Sequence, residues 1–148
     1  MKTIIFVCHG NICRSPAAEF IFKSLIEKYQ LQDRFRVYSR ATSTEEIGND
    51  IYPPMKRALM AHDIPFEKHF AKQITKEDYE NADVIFYMDN ANLSYLNYLL
   101  NDNQNKFELI SKYTENLEYI EDPWYSGEYE IVIKELIQCC EDIIKNLK

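Results

Sequence analysis

The sequence predicts one doubly wound α/β domain, a four-stranded parallel sheet with helices on both faces. Three observations predict it. Short apolar runs rich in β-branched and aromatic residues recur along the chain. Segments with helical spacing separate them, in the order βαβαβαβα. The length of 148 residues suits a single domain with a real core. Parallel neighbours joined this way need right-handed crossovers, and ligands bind beyond the carboxyl ends of the strands. No linker or internal repeat divides residues 1–148.

Each element has its own signal. Thr3 to Cys8 is a buried strand, and Cys8 sits at its carboxyl end. A helix begins at Ser15, with Ser15 suited to an N-cap and Pro16 to the first helical position. Its apolar residues Ala17, Phe20, Ile21, Leu25 and Ile26 keep helical spacing to about Gln30. Phe35 to Ala41 is the second strand. Pro53-Pro54 opens a helix over Met55 to His62, and His62 is expected on its surface. Asp83 to Met88 is the third strand, closed by Asp89. Asn90 to Leu100 is a helix, Phe107 to Ile110 a short strand. The last helix covers Glu128 to Leu147, with Ile133, Leu136, Ile137, Cys140, Ile143, Ile144 and Leu147 on one face.

Composition bounds the function. The chain is 46% hydrophobic and 28% charged, which fits a globular fold rather than a disordered one. Lys plus Arg is 17 and Asp plus Glu is 24, giving a net charge of −7 that argues against nucleic-acid binding. An anionic substrate must therefore be drawn by a local positive site. No stretch reaches the roughly 20 apolar residues of a membrane span. The apolar run at the start stops at His9-Gly10-Asn11, short of a secretory signal, so a cytoplasmic chain without membrane insertion is expected. The cysteines are Cys8, Cys13, Cys139 and Cys140. Their spacing matches no metal site, so no metal and no cofactor are expected, and the thiols are read as reduced. Cys140 lies on the apolar stripe of the last helix, and Cys139 has no cationic neighbourhood in sequence.

The chemistry lies in Cys8-His9-Gly10-Asn11-Ile12-Cys13-Arg14-Ser15-Pro16, between the first strand and the first helix. Backbone N–H groups of such a loop and the helix N-terminus form an anion cradle. Gly10 and Asn11 tolerate left-handed backbone. Arg14 can grip two phosphoryl oxygens with one guanidinium. Cys8, at a helix N-terminus beside a cation, is expected to be a thiolate. Together these groups describe nucleophilic attack on phosphorus through a phosphocysteine. The competing interpretation is a structural cysteine in an ordinary βα turn.

V-C-H-G-N-I-C-R-S-P resembles the signature of the low-molecular-weight protein tyrosine phosphatases. Further segments are similar to that family: S-R-A-T-S-T-E-E-I-G-N at 39–49, H-F-A-K-Q-I-T-K-E-D-Y at 69–79, Y-M-D-N-A-N-L at 87–93 and E-D-P-W-Y at 121–125. The resemblance implies hydrolysis of protein phosphotyrosine and small aryl phosphates through Cys8. Arg14 and the loop amides of His9, Gly10, Asn11, Ile12, Cys13 and Ser15 would hold the phosphoryl group. It implies that Asp122 is the general acid and base; from residues alone, Asp122-Pro123 is only a turn. Ser15, Ser39 and His69 would support a left-handed Asn11, and Ser15 would also hydrogen-bond the leaving thiolate.

Ile12, Glu45, Trp124 and Tyr125 are expected to wall the substrate pocket. One of the two aromatics could instead pack under the loop. Tyr125 is a candidate phosphoacceptor, and Trp124 stands where the family often has Tyr. Relatives acting on phosphoarginine carry Thr where this chain has Ile12, an apolar residue better suited to a phenyl ring. Glu45 stands where eukaryotic members often have an aromatic residue, and a carboxylate there would disfavour acidic peptides; a solvated loop charge is the alternative. His9 is expected on the rim. Asp89 either pairs with Arg14 or caps the following helix. Cys13 either packs at the helix start or captures oxidised Cys8 as a disulfide. The expected partners are phosphotyrosine proteins or peptides, with phosphate as product inhibitor; the chain is expected to be a monomer, with weak self-association as the alternative. Two other readings compete: a phosphoarginine phosphatase and a thiol-dependent arsenate reductase. The latter needs redox cysteines in mid-chain, and none lies between Cys13 and Cys139. A phosphate-binding module without turnover is disfavoured by the joint presence of nucleophile, Arg and acid.

Overall fold

The computed structural model describes residues 1–148. Four strands, β1 (Lys2–Cys8), β2 (Phe35–Ala41), β3 (Val84–Tyr87) and β4 (Phe107–Leu109), form one sheet in the order β2-β1-β3-β4. Every pairing is parallel, with Cys8 opposite Ala41 at the carboxyl end of the first pair. The chain steps from β1 to β2 on one side and then crosses to β3 on the other. The carboxyl end of β1 is therefore the topological switch point, where α/β sheets hold their ligands.

Alternation along β1 feeds two cores. Ile4, Phe6 and Cys8 join the larger one with Phe22, Met55, Leu136 and Ile143. Ile5 and Val7 join the smaller one with Ile74, Tyr79, Leu96 and Phe107. Because both faces are covered, β1 is apolar throughout rather than alternating with polar residues. Helices α1 (Arg14–Lys28), α2 (Pro53–Ala61) and α6 (Tyr129–Leu147) supply residues to the larger core. Helices α3 (Lys76–Asn81) and α4 (Asn90–Leu99) serve the smaller. No helix is long and apolar enough to cross a membrane.

The four strands and the long helices fall where the sequence places them, within two residues at each end. Three short elements are absent from the sequence reading: α3, a 3₁₀ turn at Ile110–Tyr113 and α5 (Pro123–Ser126). Elements this short carry too few residues for a helical period to show. The start of α1 also differs. Its N-cap is Cys13, without a side-chain cap, and Pro16 is the third helical residue. Ser15 is not a cap because its hydroxyl is engaged inside the site described next. His62 is not simply a surface residue: it ends α2 and hydrogen-bonds Glu130 of α6.

Candidate active site

Cys8 is buried at the end of β1, with two Ser15 groups on its sulfur. The Ser15 Oγ lies 3.1 Å from Sγ and the Ser15 backbone N–H donates to it at 3.4 Å. Between them the loop curls back, and the backbone N–H groups of His9 to Arg14 donate to no acceptor within the chain. Consecutive free amides in a buried loop are uncommon, because unpaired N–H groups cost free energy. Turned to one ligand, they make an anion cradle.

The curl depends on Asn11, whose φ is 58°. Its side chain is fully buried and fully bonded. Nδ2 donates to Ser15 Oγ at 2.8 Å and to Ser39 Oγ at 3.0 Å, while Oδ1 accepts the Lys72 N–H at 3.1 Å. That N–H fixes the amide orientation. Ser15 Oγ accepts from Asn11, so its single proton goes either to Cys8 Sγ at 3.1 Å or to the Arg40 carbonyl at the longer 3.4 Å. Ser39 in turn donates to Glu19 at 2.7 Å. His69 Nε2 donates to the Asn11 carbonyl at 2.6 Å. Asp50 accepts the His69 N–H at 3.0 Å and the Ile51 N–H at 2.7 Å, and takes the Lys56 ammonium at 2.7 Å. Burial pushes the Asp50 carboxyl up, but Lys56 and the two amides outweigh it and hold the pKa at about 2. Gly10 does not have positive φ, contrary to expectation. Its lack of a side chain matters instead for room, since a Cβ there would lie 3.2 Å from Glu46 Cγ.

Arg14 is nearly fully buried and held from two directions. Nη1 donates to Asp89 Oδ2 and to the Ile120 carbonyl, both at 2.7 Å. Nη2 lies 3.6 Å from Asp122 Oδ2. Burial pulls the guanidinium pKa down, but Cys8, Asp89 and Asp122 together hold it above its ordinary value. Asp89 does both jobs the sequence allows, since its other oxygen caps α4 through the Asn92 N–H at 2.9 Å. Asp122 caps α5, accepting the Trp124 N–H at 3.0 Å.

Cys8, Arg14 and Asp122 thus line one cavity of about 450 Å³, with Ile12, Tyr52 and Trp124 along its walls. Glu45, Glu46 and Tyr125 stand at its edge. Glu45 is bonded to His9 Nε2 at 2.9 Å, and the His9 ring meets Tyr95 edge-on at 5.5 Å. Trp124 packs on Tyr52 with ring centroids 5.1 Å apart, while Tyr125 is 84% exposed. Cys13 lines the same cavity, and burial pushes its thiol far up. Burial likewise raises Cys139, to about 11, and Cys140, so both behave as core residues. No group of His, Cys, Asp and Glu is clustered to hold a metal ion.

Sequence reasoning missed Glu19, Asp50, Glu46 and Tyr52. Glu19 carries no pattern of its own on an amphipathic helix. Tyr52 had one available signal, its place just before Pro53-Pro54, since an aromatic N-cap is unusual.

The family model described as low molecular weight phosphotyrosine protein phosphatase matches residues 3–148. The mouse protein of that name is 40% identical over 97% of this chain and 94% of its own length. The Bacillus subtilis low molecular weight protein-tyrosine-phosphatase YfkJ is 30% identical over 100% of this chain and 97% of its own. A crystal structure of YfkJ superposes with a TM-score of 0.94 at 31% identity, covering 99% of this chain and 94% of that one. A protein tyrosine phosphatase from Entamoeba histolytica superposes with a TM-score of 0.91 at 27% identity, covering 99% and 97%.

Proposed function

The chain belongs to the low-molecular-weight phosphotyrosine protein phosphatase family, and we propose that Cys8, Arg14 and Asp122 carry the reaction of that family here. The phosphoryl group of phosphotyrosine enters the cradle. Its oxygens take the free N–H groups of His9 to Arg14 and the guanidinium of Arg14. Cys8 Sγ attacks phosphorus, the P–O bond to the tyrosine breaks, and the Asp122 carboxyl gives its proton to the departing phenolate. Water then attacks the phosphocysteine. Asp122, now a carboxylate, takes the water proton, and the S–P bond breaks to release inorganic phosphate and the Cys8 thiolate. The Ser15 hydroxyl donates to that sulfur as it leaves.

The observation that carries this reading is the meeting of residues from opposite ends of the chain in one cavity, Asp122 Oδ2 lying 3.6 Å from Arg14 Nη2. The substrates are phosphotyrosine proteins or peptides, and free phosphate competes as product in the same cradle. Ile12 favours a phenyl ring over a guanidinium. Glu45 and Glu46 make the mouth acidic, which disfavours acidic residues beside the phosphotyrosine. The protein acts in the cytoplasm as a monomer, and its nucleophile is open to oxidation.

The test is turnover of aryl phosphates and phosphotyrosine peptides by Cys8→Ser and Asp122→Asn. Cys8→Ser should lose turnover and still bind phosphate. Asp122→Asn should lose about 10²–10⁴ in kcat on phosphotyrosine, less where the leaving group needs no proton. Wild-type turnover by Cys8→Ser would remove the phosphocysteine, and equal losses for good and poor leaving groups would remove Asp122.

A further inference from the structure

We propose that Tyr52 is a positioning residue that holds the Asp122 loop over the phosphate cradle and so aims the general acid. This rests on the assignment of Asp122 as the acid. Tyr52 stands at the junction of the two loops. Its backbone N–H donates to the Ile12 carbonyl at 2.8 Å, which ties the start of α2 to the cradle. Its ring meets Trp124 at 5.1 Å with planes 56° apart, and Tyr129 at 6.3 Å with planes 31° apart. Tyr129 begins α6, so one ring touches both ends of the stretch 124–129 that follows Asp122 and holds Gly127.

Trp124 is the part that transmits the hold. Its own N–H donates to Asp122 Oδ1 at 3.0 Å. The residue whose ring Tyr52 grips is thus the residue that orients the carboxylate. Trp124 is 60% exposed, and Tyr52 is the aromatic ring that packs on it. Before the acid the loop is tied at Ile120, whose carbonyl accepts from Arg14 and whose N–H donates to the Met88 carbonyl; beyond the buried Pro123 the ties are fewer. α5 is four residues long and ends at Gly127 with φ 74°. A misplacement of about 1 Å in a catalytic group costs up to about 10²-fold in rate. A ring that sets the loop therefore acts on kcat through Asp122, without touching the reacting atoms.

The experiment is a double-mutant cycle read with phenyl phosphate, a poor leaving group, and p-nitrophenyl phosphate, a good one. Tyr52→Ala should lower kcat on phenyl phosphate about 10-fold, and clearly less on p-nitrophenyl phosphate. Tyr52→Phe keeps the ring and should stay near wild type. In an Asp122→Asn background, Tyr52→Ala should add almost nothing to the loss. The inhibition constant for inorganic phosphate should stay within about twofold, since the Tyr52 N–H remains bonded to Ile12. If Tyr52→Ala fails to fold, Tyr52→Leu, which keeps apolar bulk without a ring, takes its place. Equal kcat losses on both substrates, a full additive loss in the Asp122→Asn background, or a loss confined to KM would each overturn the proposal. Should Asp122→Asn itself show no leaving-group dependence, the acid assignment falls and the proposal with it. Leaving-group dependence in Asp122→Asn but not in Tyr52→Ala overturns the proposal alone.

Discussion

Asp89 holds Arg14 by a single 2.7 Å hydrogen bond, from Nη1 to Oδ2, at the point where β3 ends and α4 begins. The guanidinium is almost wholly out of solvent, so its direction is set by Asp89 on one side and by the Ile120 carbonyl and Asp122 on the other. Asp89→Ala should therefore have two separable effects. Loss of the α4 cap should lower stability by about 1 kcal/mol. Loss of the partner should lower kcat/KM by about 10-fold or more, since a buried charge missing its partner reorients or recruits water. Asp89→Asn keeps the cap and should recover most of the stability but only part of the activity. Thermal melts and kcat/KM on an aryl phosphate read the two effects apart. Wild-type kcat/KM in Asp89→Ala would mean that Ile120 and Asp122 suffice to aim the guanidinium.

Ile12 lines the cavity beside Cys8. Ile12→Thr trades apolar contact with a phenyl ring for a hydroxyl that a phosphoguanidinium can use. The kcat/KM ratio of phosphotyrosine to phosphoarginine peptides should fall by about 10-fold, the lower end of what one altered pocket contact yields. An unchanged ratio would show that selection lies elsewhere on the wall.

Asp50 makes stability depend on acidity. Its folded pKa of about 2 lies below the ordinary 3.8, so the unfolded chain takes up the proton first. The stabilisation is fully present above pH 3.8 and is lost as pH falls toward 2. Asp50→Asn should flatten the decline of stability in that window and leave the curve above it parallel to wild type. It should also loosen His69, whose N–H Asp50 accepts, and so weaken phosphate binding at neutral pH. Denaturant melts across the acid range check the first point. Parallel curves for the two proteins down to pH 2 would falsify it.

Peroxide should convert Cys8 to a sulfenic acid. The Cys13 thiol lines the same cavity, and its attack on the sulfenic sulfur should expel water and leave a Cys8–Cys13 disulfide that a thiol reductant reopens. Because burial keeps Cys13 protonated, it should show little reaction with alkylating agents before oxidation. Cys13→Ser should keep most activity but lose much of the recovery after peroxide. Full recovery in Cys13→Ser, or a peptide mass spectrum without the Cys8–Cys13 link, would leave Cys13 as a packing residue.

What is legible in the sequence is what has a local pattern. The strands show as apolar runs, and the cradle shows because Cys8, Asn11, Arg14 and Ser15 lie in one short loop. The partners that finish the site have no such pattern. Glu19 reads as an ordinary helix carboxylate, yet its oxygen takes the Ser39 proton and closes the chain of bonds from Asn11. Asp50 reads as a loop charge, yet it holds both His69 and Lys56. Ser15 shows the reverse error. Its residue type argues for a cap, but a tertiary demand for its hydroxyl, from Asn11 and Cys8, overrides that local preference.

The packing of α1 on α6 bears on when the protein becomes active in its life. Ala17 and Ile21 share a core with Leu136, Cys140 and Ile143, and the Cys140 thiol sits 3.8 Å from the Ala18 carbonyl. The helix that presents Arg14 and Ser15 is thus roofed by a helix, Tyr129–Leu147, that is synthesised long after it. A nascent chain carries Cys8 early but lacks Asp122 and the α6 side of this core until residues 122–147 have been made. Contacts this far apart in sequence form slowly. On refolding, protection of Cys8 from alkylation by phosphate should appear together with amide protection in α6. Protection of Cys8 that precedes α6 would show that the cradle matures alone.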